Sequence, residues 1–207
     1  MLYKLFKIVN SKMKFVLLKI IIVIVLLLSA FSENIFPQEI KEEVREIITN
    51  TFNKDVQYDY EKYIIPDSLK TKVENTTQQK FFSESVYILK IFDEEILSGV
   101  ALLDNVYGKD MPITFLVIFE DSGKIILADI VKYREPYGAA VQNKNWTAQF
   151  KKKESNSGFS VGDDIDGITG ATISVKSVTK GIYKLSLLYK EIKESLWNSS
   201  YTDLINR

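Results

Sequence analysis

The sequence predicts a single α+β domain: an antiparallel sheet flanked by helices and closed by a long C-terminal helix. Two stretches, Gln38 to Phe52 and about Ser174 to Trp197, repeat apolar residues every three or four positions, which is helix spacing. Between residues 85 and 131 lie four apolar, β-branched runs joined by short polar turns, which suits hairpins. The 207 residues are 46% hydrophobic and 26% charged, enough for one sizeable core, and no repeat, linker or low-complexity tract divides them.

Residues 1–32 read as an address. They carry five lysines and no acidic residue, then the unbroken run Ile20 to Leu28, then the small residues Ala30 and Ser32. That order fits a cleaved signal peptide; a retained anchor is the alternative, with an apolar run marginal for the roughly 20 residues of a span. Either way the lysines precede the apolar run, so the rest of the chain is expected outside the cytoplasm. Residues 33–84 read as a helical N-terminal segment. Ile40, Val44, Ile47 and Ile48 share one helix face after Pro37, and a weaker helix begins after Pro66 and Asp67. Between them Tyr58, Tyr60 and Tyr63 are expected to be half-buried packing aromatics.

From residue 85 to 207 the chain reads as the functional domain. Strands are expected at Ser85 to Phe92 and Ile96 to Leu103, then at Pro112 to Phe119 and Lys124 to Val131 across the turn Asp121-Ser122-Gly123. The last two are apolar on successive residues, so both sheet faces should be covered, with the terminal helices as the natural cover. In the final helix Val175, Val178, Ile182, Leu185, Leu188, Ile192 and Leu196 form one stripe, and Gly181 within it marks close packing.

Composition excludes much. The chain has neither cysteine nor histidine, so thiol chemistry, iron–sulfur ligation, c-type haem attachment and histidine acid–base work are ruled out. Redox chemistry, if present, needs an organic cofactor. Removing the five leading lysines leaves 22 basic against 27 acidic residues, which argues against nucleic acid as a partner.

One segment carries chemistry. Asp166-Gly167-Ile168-Thr169-Gly170-Ala171-Thr172 runs into Ile173-Ser174 at the mouth of the long helix. The glycines permit left-handed backbone, and small side chains let a bulky group approach the main chain. Thr172 or Ser174 is placed to cap the helix. Its first amides lack internal partners and suit a phosphate. On these grounds alone a plain capping loop and a phosphate seat both stand.

The segment resembles the flavinylation motif of the FMN-binding domain family, which includes subunits of sodium-pumping quinone reductases and Rnf-type complexes. The resemblance extends to Glu135-Pro136-Tyr137-Gly138 and to Trp146-Thr147-Ala148-Gln149-Phe150, and covers roughly residues 85–195; after that pair, Lys151-Lys152-Lys153 departs from the family pattern. It implies FMN esterified through its phosphate to Thr172 by a dedicated flavin transferase, with Asp166 in the recognition sequence. It places Thr169, Gly170, Ala171 and Ser174 around the attachment point, and Glu135, Gly138 and Trp146 near the flavin ring. For Trp146 a core anchor is an equal expectation, and for Glu135 a solvated strand end is the plainer alternative. It further implies an extracytoplasmic electron carrier serving redox partners at the membrane. No catalytic or metal-ligating residue is assigned. The other readings are a flavoenzyme reducing a small acceptor, for which Arg134 is the nearby donor, and a cofactor-free anchored module.

Overall fold

The computed structural model describes residues 38–54 and 56–198, together with Met13, Val16, Leu18 and Lys19. The run Ile20 to Leu28, with the choice between signal peptide and anchor, lies outside the described residues. Among the described residues no helix is long and apolar enough to cross a membrane. The chain forms two units, residues 1–41 and 42–207, and the sheet and the candidate site lie wholly in the second.

Five strands form one antiparallel meander in chain order. They are β1 (Gln57–Ile64), β2 (Ser85–Asp93), β3 (Ile96–Tyr107), β4 (Pro112–Phe119) and β5 (Ile125–Lys132). Helix α1 (Gln38–Phe52) precedes the sheet, α2 (Asp67–Thr77) joins β1 to β2, a short α3 (Lys144–Thr147) follows β5, and α4 (Thr172–Trp197) ends the described chain. The α+β architecture with its antiparallel sheet and long last helix is as the sequence predicts.

Two elements depart from expectation. Helices α1 and α2 lie where the apolar spacing after Pro37 and the start after Pro66 and Asp67 predict them, but the tyrosine-rich stretch between them is β1, paired along its length with β2 from Gln57 opposite Phe92 to Ile64 opposite Ser85. Asp59, Glu61 and Lys62 disguise it, and an edge strand tolerates such charges because it is only partly buried. Strand β3 runs four residues beyond Leu103, through the polar pair Asp104-Asn105, which mimics a strand end.

Both sheet faces are covered. On one, Val100, Leu102, Phe115, Val117 and Phe119 meet Val175, Val178, Ile182, Leu185 and Tyr189 of α4 in a single core. Gly181 permits this approach: a Cβ there would stand 2.8 Å from both Phe115 and Val106. On the other, Leu89, Ala101, Leu103, Leu116 and Ile118 are buried, and Phe52 of α1 lies against Gly99, its ring 3.1 Å from where a Cβ there would stand. The turn at residues 121–123 is tight as expected, with Gly123 at φ +96° and its amide donating to Glu120 O at 2.9 Å.

Candidate functional site

The start of α4 is built by three segments meeting at one end of the sheet. The first is the β3–β4 turn at residues 108–111. Its shape depends on Glu135, whose Oε1 accepts the amides of Asp110 at 2.7 Å and Met111 at 2.9 Å. These bonds, that of Met111 foremost, hold the Glu135 carboxyl below the usual glutamate range. Glu135 therefore ties the turn to the segment after β5 and is no solvated strand end.

The second segment is Tyr133 to Gly138. Tyr133 Oη donates to Tyr137 O and pairs with Ser174 Oγ at 2.8 Å, joining this loop to α4. Gly138 sits at φ +86°, and a Cβ there would fall 2.7 Å from Tyr133 Oη and 3.0 Å from Ser174 Oγ. Glycine is thus required both by its backbone angle and by the closeness of loop to helix. Arg134 donates to Pro112 O at 3.2 Å and to Thr114 Oγ1 at 2.9 Å, so its guanidinium braces β4 and does not line the cleft described below.

The third segment is the motif itself. Gly170 at φ +82° and the bond from Ala171 N to Ile168 O turn the chain into α4. The helix starts two residues earlier than the spacing predicts, at Thr172, with Ala171 at the cap position and no side chain capping it. The expected hydroxyl cap is therefore absent: Thr172 is already helical, and Ser174 is buried and engaged with Tyr133. The amides of Thr172, Ile173 and Ser174 precede the first helical bond, from Val175 N to Ala171 O at 2.9 Å, and the first turn has no acidic residue.

Between these segments lies an open cleft of about 270 Å³, lined by Lys109, Asp110, residues 135–138 and residues 170–174. Glu135, Gly138, Gly170, Ala171, Thr172 and Ser174 thus come together. Thr169, Asp166 and Trp146 do not line it. Trp146 is 5% exposed and packs edge-on to Phe150 with ring centres 5.3 Å apart, which makes it a core anchor. A larger hollow of about 560 Å³ lies between α1, β5 and α3; Thr147 and Ala148 line it, but no residue of the Asp166–Ser174 segment and neither Glu135, Gly138 nor Trp146 does, so the smaller cleft is the one that gathers the candidate residues. Three residues not singled out from the sequence matter here: Tyr133, Lys109 and Gln149. The Trp-x-x-Gln-Phe pattern held a signal only for the last.

The cleft fits the phosphate end of a flavin nucleotide. Helical amides without internal partners favour an anion, Lys109 adds a positive charge, and a Cβ on Gly170 would meet nothing within 4 Å. Among the described residues no group of acidic side chains is arranged to hold a metal ion. No curated protein matches the chain. Residues 108–185, from the β3–β4 turn into the middle of α4, match the model of the FMN-binding domain family.

Proposed function

We propose that this protein is an electron carrier whose FMN is joined by a phosphoester to Thr172, and that it works outside the cytoplasmic membrane with redox partners there. The observation that supports this best is the setting of Thr172. It is an exposed hydroxyl at the first helical position, on the rim of the cleft, beside amides free to receive a phosphate. The basic and apolar pattern of residues 1–32 supports export or anchoring.

When bound, FMN supplies the one- and two-electron chemistry that a chain without cysteine or histidine lacks. The chain's own residues hold it. Thr172 Oγ1 forms the ester to the phosphorus of the flavin nucleotide. In the same exchange the bond from that phosphorus to its leaving group breaks, and the hydroxyl proton passes to a base of the transferase. A flavin dinucleotide donor balances the exchange, with adenylate departing with the electron pair. The α4 amides and Lys109 offset the phosphate charge, and Glu135 keeps the 108–111 turn in place as one wall. The cleft is at or below the low end of the roughly 300–1,000 Å³ usual for ligand pockets. A flavin tethered by its phosphate would leave part of its ring at the surface, which suits exchange of electrons with a docked protein.

The intact mass of the full chain, co-produced with a flavin transferase, tests this. A gain equal to FMN less one water is expected, and none in Thr172→Ala. No gain in the unaltered chain, under conditions where a known acceptor is modified, would sink the covalent reading.

A further inference from the structure

The cleft explains what receives the phosphate but not what holds the motif upstream of it. Asp166 begins the motif, and its main chain is gripped from both sides. Its amide donates to Gln149 Oε1 at 2.9 Å, and its carbonyl accepts from Trp146 Nε1 at 2.8 Å. A third bond closes the ring: Gln149 Nε2 donates to Trp146 O at 3.2 Å. The orientation of the Gln149 amide follows from its partners, since an amide needs an acceptor and a carbonyl needs a donor. The clamp is rooted in the core, because Trp146 is buried there and Phe150 beneath it is fully buried.

Beyond the clamp the motif has few supports. Ile168 packs partly against the core and Ala171 is buried, but Asp166, Gly167, Thr169 and Gly170 are exposed. A Cβ on Gly167 would meet nothing within 4 Å. The loop is therefore fixed at Asp166 and again at Ala171, with its polar and small residues facing outward between. Two bonds to one main-chain residue, with a third locking the two side chains that make them, are more than a surface loop needs. Its effect is to set the direction of the exposed Asp166 carboxylate relative to Thr172.

We propose that Trp146 and Gln149 are positioning residues for the modification of Thr172: they hold Asp166 in the one orientation that a flavin transferase grips. The inference rests on the reading of Thr172 as the attachment point. Neither residue lines the cleft, so neither is assigned contact with FMN.

The test follows the rate of FMN incorporation into the full chain by intact mass, with purified transferase and flavin dinucleotide, at varied acceptor concentration. Gln149→Leu removes two bonds of the clamp, and Trp146→Phe removes the indole donor while keeping a ring in the core. Each should lower kcat/KM for the acceptor protein by about threefold to tenfold, the scale of one or two hydrogen bonds. The final extent of modification on long incubation should match that of the unaltered chain. Gln149→Glu retains an acceptor for the Asp166 amide and should recover part of the rate. Combining Gln149→Leu with Asp166→Ala should be no slower than Asp166→Ala alone, because the clamp acts through Asp166. Modification of both clamp variants at the original rate would overturn the proposal. So would a double variant whose losses multiply, since that would make Gln149 a general support of the fold. An unaltered chain that never gains mass would remove the reading of Thr172 and this inference together, whereas normal gain with indifferent clamp variants removes the inference alone.

Discussion

Thr172 differs from its neighbouring hydroxyl in what holds it. Ser174 Oγ, two residues on, is buried against Tyr133, while the Thr172 side chain is exposed. A phosphate ester needs the second condition, and the Tyr133 bond prevents Ser174 from serving as a substitute. Glu135 shows a comparable division of labour: it acts on backbone, and its charge is what makes it useful. Its carboxyl is held below the usual glutamate range, chiefly by the Met111 amide, so its grip on the turn is fully present above the unfolded glutamate value of about 4.3. As pH falls through the lowered folded value, the carboxyl gains a proton and the turn loosens. The amide resonances of Asp110 and Met111 should therefore titrate together with a midpoint below that of an ordinary glutamate. In Glu135→Gln that transition should vanish; a midpoint at or above the ordinary value would contradict the assignment. Residue types at this site were legible in the sequence wherever they sat in one short run, as in 166–174. Tyr133 was not, because its role depends on a contact with a residue 41 positions away.

At the scale of elements, α4 does two jobs with one axis. Its first turn faces the cleft, and its apolar stripe is the core's main wall. The stripe was readable from spacing, and so was the meaning of Gly181. Strand β1 was hidden by its charges, and the end of β3 by the polar pair Asp104-Asn105, of which Asp104 is buried. Periodicity registers a face that is apolar throughout; it cannot register a charge whose partner lies on another element. The close fit at Gly181 yields a stability prediction. Gly181→Val would push side-chain atoms into Phe115 and Val106, where even a Cβ would stand only 2.8 Å away. Phe115 is fully buried and has little room to move. Overpacking of this kind costs about 1–3 kcal/mol, and valine brings less helix propensity than alanine to offset it. A urea unfolding curve should show a loss of about 2 kcal/mol. Unchanged stability would mean that α4 rides further from the sheet than this geometry has it.

At the scale of the molecule, the family match begins at residue 108, yet the sheet does not. Strands β1 to β3 and helix α2 precede the match and share one core with it. A buried ion pair crosses that border. Lys184 of α4 is fully buried, with Nζ 3.1 Å from Asp104 Oδ2 of β3, donating to Lys80 O at 3.0 Å and standing 4.4 Å from the centre of the Phe81 ring. Three distant parts of the chain thus meet at one ammonium. Asp104 Oδ2 is near the ammonium but off hydrogen-bond alignment, so the pair is imperfectly satisfied. Burial raises the Asp104 carboxyl and lowers Lys184, outweighing their mutual attraction on both sides. Such a pair adds little net stability while making each member hard to remove alone. Lys184→Met should cost about 3 kcal/mol or more, because it strands a buried carboxylate. Its deficit should grow from pH 4 to pH 8: a carboxyl with a raised folded value binds its proton more tightly in the folded state, so stability falls as pH climbs through that value. Adding Asp104→Leu should restore most of the loss and flatten the pH dependence, as read by thermal unfolding at both pH values. A double variant as unstable as the single one would instead show that the ammonium's bond to Lys80 O, and not its charge, holds the loop after α2 against the core.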